Sequence, residues 1–289
     1  MDMNKIYDLI IVGCGPAGLS AAVNARIREK DFLLLGGDFC SPKLHKAPWI
    51  DNYLGIYHLT GEELRQNYLK HLKALDIKIH HRRVDTIYPV GETFQVLSKT
   101  DVFTARVVIL ATGLSSPKYL PGEQELLGKG VGYCATCDGP LYKGKKVIMI
   151  GEVEEAEEEA NFLADICQEV LYIPRYGEPK HLKDKVKAQE GKPRAIHGEG
   201  HFTALETDRG KYEADGLFII RQVTPVQEIL PGLEFEGNVI KVDRAMATNI
   251  PGVYAAGDCT GAPYQLAKAV GEGLVAALSA VKYIDMGKK

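Results

Sequence analysis

Long apolar runs are missing from this sequence. Stretches such as Leu9–Val12 and Val107–Leu110 stop far short of the roughly 20 residues a membrane-spanning helix needs, so no membrane partner is expected. The opening MDMNKIYDLIIVG has one Lys and then a short β-branched run. It reads as a first strand rather than a signal peptide, which makes a cytoplasmic location the expectation. An excess of basic residues is missing too. The 35 Lys and Arg stand against 38 Asp and Glu, for a net charge of −3, where a nucleic-acid partner would call for a basic stripe. Six cysteines are too few and too scattered for a disulfide framework in a chain this long. Apart from the acidic run Glu152–Glu159, low-complexity sequence is absent. What is present, 45% hydrophobic and 25% charged residues, is the composition of an ordinary globular chain. Its 289 residues suggest about two domains.

Short buried strands alternate with helical stretches, the pattern of α/β architecture. Ile6–Val12 reads as a strand, Pro16–Arg28 as a helix and Phe32–Leu35 as a second strand. Glu62–Leu75 carries an apolar stripe at helical spacing, Leu64, Tyr68, Leu72 and Leu75. Val84–Val90 and Thr93–Ser98 read as an antiparallel pair, and Phe103–Leu110 as a buried strand ending at Ala111-Thr112-Gly113. The order then restarts, with strand Lys145–Ile150, a turn at Gly151, helix Glu154–Cys167 and strand Val170–Ile173. Strands at Arg194–Gly198, Thr203–Thr207, Lys211–Glu213 and Leu217–Ile220 come next. Val239–Lys241, Val253–Ala256 and the Ala-rich helix Gln265–Tyr283 close the chain. Two nucleotide-binding, Rossmann-like domains with the second inserted in the first account for this order. The expected boundaries are 1–114 with 246–289, and 115–245.

Gly13-Cys14-Gly15-Pro16-Ala17-Gly18 is a G-x-G-x-x-G directly after a strand and opening a helix. Gly13 permits the tight turn, Gly15 lets the backbone approach a pyrophosphate, and Gly18 lets the helix pack closely on the sheet. The helix N-terminus, opened by Pro16 and Ala17, supplies N–H groups and a positive dipole. An acidic residue about 20 positions on usually takes a ribose hydroxyl; only Asp38 is a candidate. Ala111-Thr112-Gly113 and Ala255-Ala256-Gly257-Asp258 both follow apolar strands. Singly each is an ordinary strand-ending turn, but together with the glycine loop they fit FAD held by one discontinuous domain.

Cys134-Ala135-Thr136-Cys137-Asp138 is a C-x-x-C followed by an acid. Structural zinc needs four ligands, and the other cysteines, Cys14, Cys40, Cys167 and Cys259, are isolated in sequence. Two inert buried thiols are the plainer alternative. A reversible disulfide is the reading preferred here, since in such a pair the close neighbour lowers one thiol's pKa and the thiolate attacks to form a mixed disulfide. Asp138 is then a proton donor or acceptor, or simply the cap of the following turn.

In these motifs, GCGPAG, the ATG turn, CATCD, AAGD and the Gln265–Ala277 helix in that order, the chain resembles the low-molecular-weight thioredoxin reductase family over nearly its whole length. The resemblance implies the fold of the pyridine nucleotide-disulfide oxidoreductases, an FAD cofactor, thioredoxin as partner and a homodimer. It implies that Cys137 faces the flavin, that Cys134 attacks thioredoxin's disulfide, and that Asp138 is the nearby acid. Gly257 and Asp258 would meet the FAD phosphate and ribityl region, and Gln265 and Leu266 would approach the flavin ring. Asn52 matches the family's flavin-contacting Asn, and Val84 is expected among the FAD contacts.

The second domain departs from that family's NADPH site three times. Its loop, Gly151-Glu152-Val153-Glu154-Glu155-Ala156, has Val153 where a second glycine is expected. Six of the eight residues Glu152–Glu159 are Glu; a solvated face that offsets the helix dipole accounts for much of this run. Even so, one Glu about 5 Å from a phosphate charge costs on the order of 3 kcal/mol at an effective dielectric of 20. Ile173-Pro174-Arg175-Tyr176-Gly177 keeps one arginine of the expected His-Arg-Arg run, and Gln222 replaces a glycine after the last strand. These losses resemble the ferredoxin-dependent flavin thioredoxin reductases. Plant-type ferredoxins near −400 mV and thioredoxin near −270 mV put two electrons roughly 6 kcal/mol downhill. Lys43, His45 and Lys46, with Trp49 nearby, form one candidate docking patch for an acidic ferredoxin. The other basic cluster, Lys180–Lys187, reads as a solvated helix face. Three alternatives stay open: a dithiol oxidase that passes electrons to oxygen, a redox-sensing flavin module, and residual NADPH or NADH use.

Overall fold

The computed structural model describes residues 5–37, 42–45, 47–113, 119–221 and 226–287. The chain divides into two compact units, Met1–Ser115 with Pro225–Lys289, and Ser116–Thr224.

In the first unit β1 (Ile6–Val12), α1 (Pro16–Ile27) and β2 (Phe32–Gly36) make a β–α–β turn, followed by the short α2 (Pro42–His45). The next helix, α3 (Gly61–Ala74), starts where Thr60 and Glu63 form a reciprocal capping box, which satisfies two N–H groups that helix geometry leaves open. Then come β3 (Ile79–His81), the antiparallel pair β4 (Thr86–Val90) and β5 (Thr93–Ser98), and the long β6 (Asp101–Leu110). The inserted unit holds α4 (Glu123–Leu126), β7 (Val131–Gly132), α5 (Ala135–Asp138), β8 (Lys146–Gly151), α6 (Ala156–Ile166), β9 (Glu169–Pro174) and β10 (Val186–Ala188). A three-stranded antiparallel sheet, β11 (Pro193–His197), β12 (Ala204–Thr207) and β13 (Gly210–Glu213), precedes β14 (Gly216–Ile220). The chain returns to the first unit with α7 (Val226–Ile229), β15 (Phe235–Glu236), β16 (Val239–Ile240), β17 (Val253–Ala255) and α8 (Leu266–Met286).

Among the described residues the first unit's sheet runs β3-β2-β1-β6-β5-β4, with β17 also pairing β6. Strand β6 serves both arms. Its residues from Asp101 to Ala105 pair antiparallel with β5, and Val108–Leu110 pair parallel with β17. The second sheet runs β10-β9-β8-β14-β7, parallel throughout. The segments β3-β2-β1-β6 and β10-β9-β8-β14 are thus one architecture used twice, as the sequence repeat implied.

Two expectations need correction. Residues 225–245 belong with the first unit, because Val226, Ile229, Leu230, Leu233 and Ile240 are buried in the same core as Tyr7, Ile10 and Phe94. Lys180–Lys187 is not a helix: it is loop and then β10. The backbone N–H groups of Lys180, His181 and Lys183 are taken by side chains of α6, described below.

Helix α8 lies against α1, with Ser20 Oγ donating to Val270 O at 2.7 Å. Their approach depends on Gly273, where a Cβ would sit 2.1 Å from Ala17 O, whereas a Cβ at Gly271 would meet nothing within 4 Å. One substitution should therefore have opposite signs two residues apart. Gly273→Ala is expected to destabilise by about 1–3 kcal/mol through overpacking, and Gly271→Ala to stabilise by up to ~1 kcal/mol through helix propensity. Thermal denaturation of the two variants, expected to move Tm down and up respectively, checks this.

Candidate functional site

In the first unit the G-x-G-x-x-G loop turns against the end of β6. Gly13 has φ +111°, and a Cβ there would lie 2.2 Å from Ala111 O. At Gly18 a Cβ would lie 1.9 Å from Gly13 O, so both glycines are required for the loop to close. Gly15 is the extended N-cap of α1, with Pro16 in the first turn, no side-chain cap and no acidic residue in that turn. Ala17 and Gly18 are buried behind it. The helix presents its N–H groups uncapped, which suits an anionic pyrophosphate.

Two other turns frame this cradle. Ala111, Thr112 and Gly113 follow β6, with Gly113 at φ +72°. Gly257 follows β17 at φ +90°, where a Cβ would come 2.9 Å from Ala17 Cβ, and Asp258 opens the short turn to Thr260. Residues that the sequence reading did not single out hold this second turn. Glu272 Oε2 accepts from Gly257 N at 2.9 Å and Thr260 Oγ1 at 2.8 Å. Lys268 Nζ donates to Gly257 O at 2.8 Å and Gly261 O at 2.7 Å and pairs with Glu272 at 3.0 Å. At i,i+4 on α8, that pair would be read from sequence as a surface ion pair.

Asn52 and Gln265, 213 positions apart, are joined by Asn52 Nδ2 donating to Gln265 Oε1 at 2.9 Å, and Leu266 begins α8 beside them. Val84 is different: its side chain is buried in the sheet core with Val12 and Leu35. Asp38 lies outside the described residues, as do Cys40, Lys46 and Gln222. In the basic patch near Trp49, His45 Nδ1 is engaged by Glu62 Oε2 at 2.8 Å. Trp49, 53% exposed, stacks on His58 with centroids 4.1 Å apart.

In the second unit Cys134 and Cys137 form a disulfide with Cα atoms 5.3 Å apart. Cys134 is the N-cap of α5, and its Sγ accepts from Cys137 N at 3.2 Å. Cys134 is buried and Cys137 exposed. Asp138 is exposed as a residue. Its Oδ2, however, would lie only 3.1 Å from a Cβ at Gly132, and burial pushes the carboxyl pKa up. A carboxyl held toward its protonated form suits proton exchange with a thiolate. Ala135 N donates to Glu159 Oε2 at 2.9 Å, so a buried carboxylate grips the backbone between the two cysteines.

The second glycine loop serves packing. A Cβ at Gly151 would meet Tyr172 Oη at 2.1 Å, and Val153 packs onto the core of this unit. Helix α6 begins at Ala156, two residues later than the sequence pattern suggested, and has Glu157, Glu158 and Glu159 in its first turn. The acidic run is not simply a solvated face, because Glu157 is 1% and Glu159 2% exposed. Glu157 accepts from Tyr176 Oη at 2.6 Å and from the backbone N–H of Lys180 at 3.1 Å and of His181 at 2.5 Å. One turn on, Asn161 donates to His181 O at 2.7 Å and accepts from Lys183 N at 2.8 Å. Another turn on, Asp165 pairs with Lys183 Nζ at 2.7 Å. Positions i, i+4 and i+8 of one helix face thus tie down the loop after β9. Arg175, the surviving arginine, donates to Gly191 O at 3.2 Å. Burial pushes the Glu157 pKa up, but the hydrogen bonds from Tyr176, His181 and Lys180 outweigh it and hold the carboxyl below its ordinary value.

A dinucleotide cradle on one Rossmann-like unit and a redox disulfide on the other are the parts of a flavin-linked disulfide oxidoreductase. Residues 7–273 match the pyridine nucleotide-disulphide oxidoreductase family, and the chain belongs to that family. It is accordingly an oxidoreductase and a flavoprotein, and the glycine cradle of the first unit fits FAD. The chain is similar to a ferredoxin-flavin thioredoxin reductase from Clostridium acetobutylicum, with 46% identity, 98% of this chain and 99% of that chain covered, and a TM-score of 0.92. It is 32% identical to a thioredoxin reductase of Treponema pallidum, covering 98% of this chain and 99% of the relative. With a thioredoxin reductase of Bacillus subtilis the identity is 29%, over 99% and 97% of the two chains. Among the described residues no helix is long and apolar enough to cross a membrane.

The depressed Glu157 pKa fixes the sign of a pH effect. Stability from this carboxylate is fully present above its unfolded value, near 4.5, and is lost as the pH falls through the lower folded value. Denaturant unfolding is expected to show wild type more stable than Glu157→Gln at neutral pH. That gap should stay constant down to about 4.5 and shrink below it.

Proposed function

We propose that this chain is an FAD-dependent disulfide reductase that reduces thioredoxin through Cys134 and Cys137, with electrons from reduced ferredoxin rather than from NADPH. The observation that carries the donor half is a contrast between two copies of one fold. Helix α1 keeps an uncapped, acid-free N-terminus, whereas the corresponding α6 carries three glutamates in its first turn. One of these, Glu157, already occupies the backbone N–H groups of the following loop. A phosphate entering there would meet a carboxylate in place of a donor. Similarity to the Clostridium acetobutylicum ferredoxin-flavin thioredoxin reductase supports the same reading.

Bound FAD supplies the conversion between single electrons and an electron pair. The protein's part is then thiol chemistry. Two electrons and two protons open the Cys134–Cys137 disulfide to two thiols. The Cys134 thiolate attacks the thioredoxin disulfide, forming one S–S bond as thioredoxin's own breaks. Cys137 next attacks Cys134, which restores the internal disulfide and releases thioredoxin as a dithiol. Asp138, with its raised pKa, holds a proton beside the pair. Gly257, Asp258, Asn52, Gln265 and Leu266 are assigned to the flavin side. A cytoplasmic homodimer is part of the same reading and rests on the family resemblance.

Anaerobic absorbance of the flavin-loaded protein tests the donor. NADPH and NADH are expected to leave the flavin oxidised, while dithionite and reduced ferredoxin bleach it and added oxidised thioredoxin restores the colour. Prompt bleaching by NADPH, or flavin that stays oxidised under reduced ferredoxin, would overturn the assignment.

A further inference from the structure

Arg221 follows directly on β14 and is only 7% exposed. Its Nη1 meets Glu123 Oε1 at 2.7 Å and its Nη2 meets Glu123 Oε2 at 2.9 Å. Glu123 is fully buried, at 0% exposure. The Nη2–Oε2 contact is a charge-assisted hydrogen bond, and the Nη1–Oε1 contact adds an ion pair without hydrogen-bond geometry, so the two buried groups hold each other in position. The same carboxylate accepts from Tyr133 Oη at 2.7 Å and from Leu120 N at 2.8 Å. The guanidinium also lies 5.4 Å from the Tyr133 ring centroid and 5.9 Å from that of Tyr119. Its Nε reaches Glu152 Oε1 at 3.5 Å.

Stability alone is a poor account of this arrangement, because well-packed apolar residues often replace a buried ion pair without loss. Position explains more. Tyr133 is the residue immediately before Cys134, so Arg221 grips the chain there twice, through the Glu123-bound hydroxyl and through the ring face. On the other side of Cys134, Ala135 N is held by Glu159. The backbone entering the redox helix is thereby pinned on both flanks by buried carboxylates, and Arg221 balances the charge of one of them.

We propose that Arg221 is a positioning residue for the Cys134–Cys137 pair, acting through Glu123 and Tyr133 to fix Cys134 for thiol–disulfide exchange. The inference rests on the proposed function only in taking a disulfide as the acceptor. It holds whichever donor reduces the pair. Arg221 itself exchanges neither electrons nor protons in the step. The Cys134–acceptor bond forms as the acceptor's disulfide breaks, and two electrons leave the pair when Cys137 closes it again.

The test bypasses the donor. Flavin-loaded enzyme is reduced anaerobically with dithionite, freed of excess reductant, and mixed with oxidised thioredoxin or with an aromatic disulfide as a small probe; the single-turnover rate is read. Arg221→Met is expected to slow exchange by at least about tenfold, as misplacement of a reacting atom does, and Arg221→Lys, which keeps the charge beside Glu123, to recover part of it. Tyr133→Phe leaves the ion pair intact and is expected to slow exchange severalfold at unchanged flavin content, with a Tm lowered by the loss of one hydrogen bond to a buried carboxylate. Because both act through one chain of contacts, the double variant Arg221→Met with Tyr133→Phe should be no slower than Arg221→Met alone. A wild-type rate in Tyr133→Phe, a wild-type rate in folded Arg221→Met, or multiplicative losses in the double variant would each overturn the proposal. If Arg221→Met does not fold, the rate of Tyr133→Phe decides. Failure of the ferredoxin reading changes none of these rates.

Discussion

A carboxylate taken out of water must be met by donors, and three such groups organise the second unit. Glu123, Glu157 and Glu159 are each at most 2% exposed. Each has recruited a different set of partners. Glu123 takes Arg221 and Tyr133, Glu157 takes Tyr176 and two backbone N–H groups, and Glu159 takes the N–H between the redox cysteines. The same requirement therefore does two jobs: it holds the backbone of the CxxC helix, and it ties down the loop after β9.

The two units use one strand–turn–helix element with different chemistry at the start of the helix. Both have a strand, a glycine turn and a helix at matching places, and in both the first glycine is fixed by a steric contact. At Gly13 the neighbour is a backbone carbonyl, and at Gly151 it is the hydroxyl of Tyr172. The difference lies in the first helical turn. No acid stands there in α1, and three stand there in α6. The dipole favours acids at that end of a helix, and in α6 two of the three reach out to the loop after β9 and to Ala135 N.

Much of the fold was legible because strand burial and helix spacing are local. The first strand was read with its observed bounds, and the repeat of β1-α1-β2 in β8-α6-β9 was plain from the glycine turns. CATCD and the two late turns, ATG and AAGD, could be placed for the same reason. What the sequence concealed depended on partners far along the chain. Glu157, Asn161 and Asp165 are visibly one helix face, but nothing local says that the loop at 180–183 folds onto it. Residues 225–245 carry no motif, and only their packing against Ile10 and Phe94 assigns them to the first unit. Lys268 and Glu272 look like a solvent-facing pair until the Gly257 turn is seen between them.

The insertion of one unit within the other has a consequence for biosynthesis. Helix α1 precedes the inserted unit and its packing partner α8 follows it, and the Ser20–Val270 bond spans 250 positions. The Gly257 turn and Gln265 emerge from the ribosome only after the whole inserted unit has been synthesised. Residues Ser116–Thr224 form a compact unit, and all three buried carboxylates find their partners within it, so its contacts can close while the chain is still growing. The glycine cradle has to wait, with its first strand, glycine loop and helix already made, until α8 has been synthesised. Cofactor loading therefore follows the synthesis of the inserted unit in this architecture, and until then the half-built first unit leaves apolar surface of α1 uncovered.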